Sequence, residues 1–147
     1  MIETSINRLK FLCETIPKLL TEIDAKEFSN RTKHDKWSKK EIIGHLIDSA
    51  TNNHHRFVRA QFEINPTITY NQNNWNTYNH YDKIENAQLI SFWSIYNKQI
   101  TELILNIPRE KLKNTIDVGS EVNLTIEFLF IDYVNHLEHH LRQVIDY

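Results

Sequence analysis

The 147-residue sequence is poor in cysteine and glycine. The first shortage excludes an internal disulfide, and the second excludes a glycine-rich phosphate-binding loop. Its single cysteine, Cys13, cannot form an internal disulfide, and a reducing cytoplasm is the simplest location for such a chain. Its two glycines, Gly44 and Gly119, are too few for the glycine-rich fingerprints that cradle nucleotide phosphates. We therefore expect a cytoplasmic protein without a nucleotide-binding loop.

The sequence also lacks an excess of positive charge and any long apolar run. A net charge of −2, with no basic patch interleaved with aromatic residues, argues against nucleic-acid and membrane-surface binding. There is no stretch long enough for a transmembrane helix, and the N-terminus does not have the pattern of a signal peptide. The length and the 40% hydrophobic content fit one globular domain over residues 1–147.

Four long segments have the apolar spacing of amphipathic helices. The first covers residues 4–23, where Pro17 predicts a kink or a break. The second begins at the capping box Ser38-Lys-Lys-Glu41 and extends to Ala60 or Phe62. The third runs from about residue 83 to 106, and the fourth begins near Thr125. This pattern predicts an all-α protein, a four-helix bundle.

The connections between these helices differ in character. Residues 24–37 are polar and aperiodic and are predicted to form a loop. Residues 63–82 are rich in asparagine and aromatic residues and have no clear period, which indicates a long ordered loop after the second helix that forms a lid or a pocket wall. Gly119 lies between two short β-prone pieces within residues 115–123, which predicts a small hairpin before the fourth helix.

Three histidines lie within five positions of the fourth helix, and two of them share one face. Steps of four, three, four and four connect Leu129, Tyr133, His136, His140 and Val144. His139 is rotated away from this stripe. Because side chains at positions i and i+4 are neighbours, His136 and His140 could both bind one metal ion. A surface pair, or a buried pair satisfied by hydrogen bonds, gives the same spacing.

The second helix carries a polar stripe that begins at a fourth histidine, His45. The stripe continues with Ser49, Asn52 and Arg56, and Asp48 lies beside it. Such a stripe is usually a solvated face, and spacing alone does not show whether His45 points inward.

Taken in order, several of these pieces match a known family. They are Trp37-Ser-Lys-Lys-Glu-Ile-Ile-Gly-His45-Leu-Ile-Asp48-Ser49, Arg56-Phe57, Asn65-Pro66-Thr-Ile-Thr-Tyr70 followed by Trp75, and His136-xxx-His140. With this set the chain resembles the DinB-like superfamily of four-helix bundles. Within that superfamily it is most similar to the YfiT family of metal-dependent hydrolases.

The resemblance implies a ligand set for one divalent metal ion, usually zinc or nickel. Carried over to this chain, the ligands are His45, His136 and His140, which implies that His45 faces inward. The other histidines have no matching role and are expected on the surface or in loops: His34, His54, His55, His80 and His139. The connection between Pro66 and Trp75 is about one residue shorter than in the family, which leaves the pocket wall undefined. Homodimers are common in the family, so a homodimer is expected.

Four further residues are candidates for the site. Asp48, three positions after His45, could orient a ligand or act as a catalytic base, and an ordinary hydrogen bond or ion pair is an equal alternative. Asn52 and Arg56 continue the same face toward a substrate pocket, and Trp75 could cover that pocket.

A three-histidine site leaves coordination positions open for water or for a thiol. The resemblance favours a thiol as the small-molecule partner, which makes the protein a metal-dependent S-transferase that joins a bacillithiol-like thiol to electrophiles in detoxification. One alternative is a metal-dependent hydrolase that uses hydroxide generated on the ion. Another is a metal-binding stress protein without catalytic turnover. The S-transferase would consume thiol together with an electrophile, and the hydrolase would form product without thiol. The stress protein would bind metal without either reaction.

Overall fold

Four long helices dominate the structure, and shorter elements fill the connections between them. The computed structural model describes residues 1–147. The elements are α1 (Ile2–Thr21), α2 (Ala25–Ser29), α3 (Lys39–Arg59), α4 (Gln72–Tyr78), a 3₁₀ turn (Tyr81–Lys83), α5 (Asn86–Asn106), a second 3₁₀ turn (Arg109–Lys113), β1 (Thr115–Ile116), β2 (Leu124–Thr125) and α6 (Ile126–Leu141).

The long helices α1, α3, α5 and α6 form the predicted four-helix bundle. Helix α1 packs mainly against α5 and α6, and α3 packs against the same two helices. Consecutive long helices α1 and α3 are therefore not the principal packing partners of each other. This order places α3 against α6, and these two helices carry the candidate histidines.

Hydrogen bonds at the helix starts explain why the boundaries of α3 and α6 follow the predictions. The Ser38 hydroxyl accepts a hydrogen bond from the Glu41 N–H at 3.1 Å, and the Glu41 carboxylate accepts one from the Ser38 N–H at 2.7 Å. This reciprocal pair is the predicted capping box. At α6, the Thr125 hydroxyl accepts from the Phe128 N–H at 3.1 Å.

The two predicted loops contain short helices that the sequence pattern did not reveal. Helix α2 begins after Asp24, whose carboxylate accepts hydrogen bonds from two backbone N–H groups, and α4 begins after Asn71 in a similar way. Helices of five and seven residues are too short to show an apolar period. Helix α5 begins at Asn86, slightly later than predicted, because Glu85 caps it.

Of the kink or break predicted at Pro17, the break does not occur, because α1 continues through this residue. Proline lacks the N–H that would bond to the carbonyl of Cys13, four residues earlier. That carbonyl instead accepts a hydrogen bond from the Ser94 hydroxyl of α5 at 3.4 Å. The neighbouring helix thus satisfies the group that proline leaves free.

The predicted hairpin is present as the antiparallel pair β1 and β2. Thr115 pairs with Thr125, and the intervening turn contains Gly119 at φ +84°, a conformation that favours glycine. A parallel bridge between Thr67 and Asp117 joins the hairpin to the connection after α3. None of the helices combines the length and the apolar character that crossing a membrane requires.

Gly44 allows the aromatic ring of Tyr81 to lie directly on the backbone of α3. A Cβ atom at position 44 would come within 2.2 Å of the Tyr81 ring. The Tyr81 hydroxyl donates a hydrogen bond to Asp48, one turn further along the helix. The missing side chain at position 44 therefore positions a residue that contacts Asp48.

We predict that Gly44→Ala destabilises the protein by about 1–3 kcal/mol, because the Tyr81 ring must move. In a Tyr81→Ala background the same change should instead stabilise α3 by up to about 1 kcal/mol, since alanine is the better helix former. Urea unfolding of the four proteins measures both effects. An equal effect of Gly44→Ala in both backgrounds would contradict this account.

Candidate metal centre

Three histidine side chains meet between α3 and α6. His45 extends from α3, and His136 and His140 extend from successive turns of α6. The three residues have ring nitrogens that all lie within 4.8 Å of one another. The Nε2 atoms of His45 and His136 are 3.2 Å apart, and the His45 ring centroid is 4.7 Å from that of His140.

The chemistry of these nitrogens, and the spacing of the His45–His136 pair, fit a divalent transition metal. Two nitrogens held about 2.0–2.1 Å from a tetrahedral ion lie about 3.3 Å from each other. The observed separation of 3.2 Å between His45 and His136 is close to that value. Without an ion, the same distance allows a hydrogen bond between a donor and an acceptor imidazole. The His45 Nδ1 atom is buried and has no hydrogen-bond partner.

Burial keeps the imidazoles neutral, which is the form that binds metal. The pKa of His45 is lowered to about 3, mainly by burial and further by the neighbouring His136 and His140. Burial also lowers the pKa of His136 to about 4, and it lowers the pKa of His140. Near neutral pH the cluster therefore offers nitrogen lone pairs rather than positive charges.

The polar stripe of α3 is buried, which resolves the question that its spacing left open. His45 has no exposed surface, and Asp48, Ser49, Asn52 and Arg56 are all buried. The stripe faces the interior because α3 has neighbours on several sides, including α4, α5 and α6.

Asp48 lies three residues after His45 on α3 and makes no hydrogen bond to a histidine. Its Oδ1 atom accepts hydrogen bonds from the Tyr81 hydroxyl at 2.5 Å and from the Asn79 side-chain amide at 2.8 Å. Its Oδ2 atom is buried and has no partner. Burial raises the pKa of Asp48 to about 6, although both hydrogen bonds act to lower it. Asp48 can therefore gain or lose a proton close to neutral pH.

Asn52 and Arg56 are held by backbone carbonyl groups. The Asn52 amide donates to the Asp48 carbonyl at 2.9 Å within α3. The Arg56 guanidinium donates two hydrogen bonds to the Ile68 carbonyl, at 2.9 and 3.2 Å. Arg56 thereby fixes the connection after α3 against the helix.

Trp75 lies on α4 and is half-buried. It contacts the Tyr70 ring edge-on, with the ring centroids 5.9 Å apart. It also lines a cavity of about 410 Å³ that Asp48, Tyr81 and Phe92 line as well. The predicted pocket residue Trp75 therefore shares this cavity with Asp48, while the three histidines do not line it.

Two residues contact the cluster that sequence reasoning did not assign to it. The Trp37 ring lies over His45, with centroids 4.9 Å apart, and Gln143 hydrogen-bonds to His140 at 3.1 Å. Both also line a groove of about 830 Å³ whose walls are mostly polar. Helical spacing could have indicated Gln143, because it lies three positions after His140. Trp37 precedes the cap of α3, where periodicity gives no signal.

The five remaining histidines lie outside the cluster. Exposed positions are occupied by His34, His55, His80 and His139. His54 is half-buried, and its Nδ1 atom lies 3.0 Å from the Tyr96 hydroxyl. His139 contacts Gln143, as described below.

The fold and this cluster define a class: helical bundles with a three-histidine centre between two helices. The profile of the DinB superfamily matches residues 8–144. The chain therefore belongs to the DinB superfamily.

Relatives and solved structures agree with this assignment. Proteins of Bacillus cereus and Bacillus anthracis, each named "putative metal-dependent hydrolase", are 23% identical over 145 residues, covering 98% of this chain and 83% of theirs. The structure of YfiT from Bacillus subtilis, described as a probable metal-dependent hydrolase with an unusual four-helix bundle topology, aligns with a TM-score of 0.87 at 17% identity. It covers 97% of this chain and 83% of YfiT.

A second solved structure shares the fold at lower similarity. The mycothiol-dependent maleylpyruvate isomerase aligns with a TM-score of 0.77 at 10% identity, covering 96% of this chain and 60% of the isomerase. Together with YfiT it confirms the predicted bundle.

We predict that the metal-free protein loses stability as the pH falls from about 6.5 toward 4. The folded pKa values of His45 and His136 lie below the value of 6.5 expected after unfolding, so the unfolded chain binds more protons in this range. Each such imidazole contributes a slope of about 1.4 kcal/mol per pH unit. Denaturant unfolding with a chelator present, at several pH values, measures this slope.

Asp48 has the opposite effect on the pH dependence of stability, and this provides a check on the predicted direction. Its folded pKa of about 6 is raised above the ordinary value of 3.8, so protonation of Asp48 favours the folded state as the pH falls through this interval. Asp48→Asn removes that opposing contribution and should make the acid loss of stability steeper. If Asp48→Asn instead loses stability less steeply as the pH falls, the contribution assigned to Asp48 is wrong.

Proposed function

We propose that this protein is a metal-dependent hydrolase whose single divalent ion is held by His45, His136 and His140. The observation that carries the proposal is the convergence of three neutral imidazoles within 4.8 Å, from helices far apart in sequence. The names of the Bacillus relatives support the same function. Zinc and nickel both suit imidazole ligands, and we propose one of them as the ion.

The ligand set supports catalysis rather than a purely structural site. The cluster contains three histidines and no fourth histidine, cysteine or carboxylate, whereas structural zinc sites have four protein ligands. A divalent ion held by three neutral ligands keeps its double positive charge and, when bound, lowers the pKa of a coordinated water to about 7.

The surrounding residues supply shielding and a proton acceptor. Trp37 lies against His45, which has no exposed surface. Asp48 offers a free Oδ2 atom and a pKa of about 6, which suits a general base that takes a proton from an attacking water. Tyr81 and Asn79 fix the orientation of this carboxyl group through Oδ1. We propose Asn52, Arg56 and Trp75 as residues that shape the substrate pocket.

We expect about one zinc or nickel ion per chain in the untagged protein, and much less in His140→Ala. The loss follows because two imidazoles hold a divalent ion less tightly than three. Elemental analysis after mild dialysis measures this content. The matched control is His55→Ala, which removes an exposed histidine outside the cluster and should retain the metal. Negligible metal in the wild type after addition of both ions would refute the proposed site.

We expect the zinc-loaded protein to hydrolyse at least one member of a panel of chromogenic esters without added thiol. Asp48→Asn should lower the rate by about 100-fold or more, since general-base catalysis typically contributes that much. Its zinc content should remain at the wild-type level, because Asp48 is not among the three ligands. An Asp48→Asn variant that loses its zinc would assign Asp48 to support of the metal instead.

The second candidate is transfer of a low-molecular-weight thiol to an electrophile. The observation in its favour is the fold shared with the mycothiol-dependent isomerase, together with the ability of a divalent ion to deprotonate a bound thiol. Saturable consumption of bacillithiol with an electrophilic dye, dependent on His140, would favour this candidate. Ester hydrolysis that is independent of thiol would favour the hydrolase.

A further inference from the structure

Gln143 contacts His140 through both its main chain and its side chain. Its N–H donates to the His140 carbonyl at 3.0 Å, in the turn that follows α6. Its Oε1 atom lies 3.1 Å from His140 Nδ1. The next residue, Val144, is buried and anchors this turn to the core. The side chain of Gln143 is therefore placed against one particular ring nitrogen.

The same amide also reaches His139. Gln143 Nε2 lies 3.2 Å from His139 Nε2, and the His139 and His140 rings meet edge-on with centroids 5.1 Å apart. Gln143 thus bridges two adjacent histidines, only one of which belongs to the cluster.

The chemistry of the groups permits one pattern that leaves His140 ready to bind metal. An amide oxygen only accepts hydrogen bonds, so a proton must reside on His140 Nδ1. The lone pair of His140 Nε2 is then free. The amide nitrogen only donates, so His139 Nε2 must be the acceptor. If the amide were rotated by 180°, its NH₂ group would require His140 Nδ1 as acceptor, and the proton would occupy Nε2.

We propose that Gln143 is a positioning residue that fixes the Nδ1-protonated tautomer of His140, and that His139, with its Nε2 unprotonated, holds the Gln143 amide in the required orientation. This inference rests on the proposed metal site. It assigns a role to His139, which does not belong to the cluster. Outer hydrogen-bond partners of this kind set the tautomer and ring orientation of metal-ligating histidines.

Zinc affinity, measured by competition with a chromophoric chelator, tests the proposal. Gln143→Leu should weaken zinc binding about 10-fold, in line with the loss of such a partner elsewhere. Gln143→Glu keeps the acceptor and should bind zinc at least as tightly as the wild type. His139→Phe should weaken binding by a smaller factor. Gln99→Leu, the same substitution at an exposed position of α5, should have no effect.

A spectroscopic measurement separates positioning from a general structural role. In the metal-free protein, nitrogen-15 NMR of the imidazole rings should show His140 protonated at Nδ1 in the wild type and in Gln143→Glu. It should show a mixture of tautomers in Gln143→Leu. Unchanged tautomer and affinity in Gln143→Leu would overturn the proposal, and so would a loss in Gln143→Glu as large as that in Gln143→Leu.

The two proposals fail in different ways. If the wild type binds no zinc, the metal site is refuted, and the tautomer comparison alone decides the role of Gln143. If the wild type binds zinc and all Gln143 variants bind it equally, the metal site stands and the role of Gln143 is refuted.

Discussion

The burial of α3 on most of its surface is the constraint on which the rest of the structure depends. Fourteen of its 21 residues are buried, so its polar stripe cannot be solvated. A buried polar group without a hydrogen bond costs roughly 2–7 kcal/mol. Neighbouring elements must therefore supply partners for the polar groups that α3 does not satisfy itself.

Those partners come largely from the connection between α3 and α5. The Ile68 carbonyl accepts from Arg56, the Asn76 amide donates to the Glu41 carbonyl at 2.8 Å, and Asn79 and Tyr81 bind Asp48. A segment rich in asparagine is thereby ordered by the groups that it satisfies. Two of the buried atoms that remain without partners, His45 Nδ1 and Asp48 Oδ2, lie on α3.

The sequence predicted the features that depend on local interactions or on long periodic patterns. The capping box at Ser38, the start of α6 at Thr125 and the turn at Gly119 all depend on hydrogen bonds or backbone angles within a few residues. Two of the missed features depend on contacts between distant segments. Pro17 does not break α1 because Ser94 satisfies the free carbonyl, and the α3 stripe is buried because other helices surround it.

The residues of the candidate site also divide into those that the sequence pattern predicted and those that it did not. Spacing placed His136 and His140 on one face, but only the family resemblance directed His45 inward, because its own helix gives no reason for a polar face to be buried. Trp37 precedes the cap of α3, where periodicity carries no information, whereas Gln143 follows α6 at a spacing of three from His140. Each contact is local to one helix: Trp37 meets His45 at the start of α3, and Gln143 meets His140 at the end of α6.

The separation of the histidines along the chain has a mechanical consequence. His45 and His136 are 91 residues apart in the chain. An ion bound to both would therefore cross-link the chain and close a loop of that length, as a disulfide does. By the chain-entropy estimate used for disulfides, closing a loop of roughly this length is worth about 4–5 kcal/mol. A chain with one thiol cannot form such a cross-link through sulfur. A cross-link through the ion would survive reductants and be released by chelators.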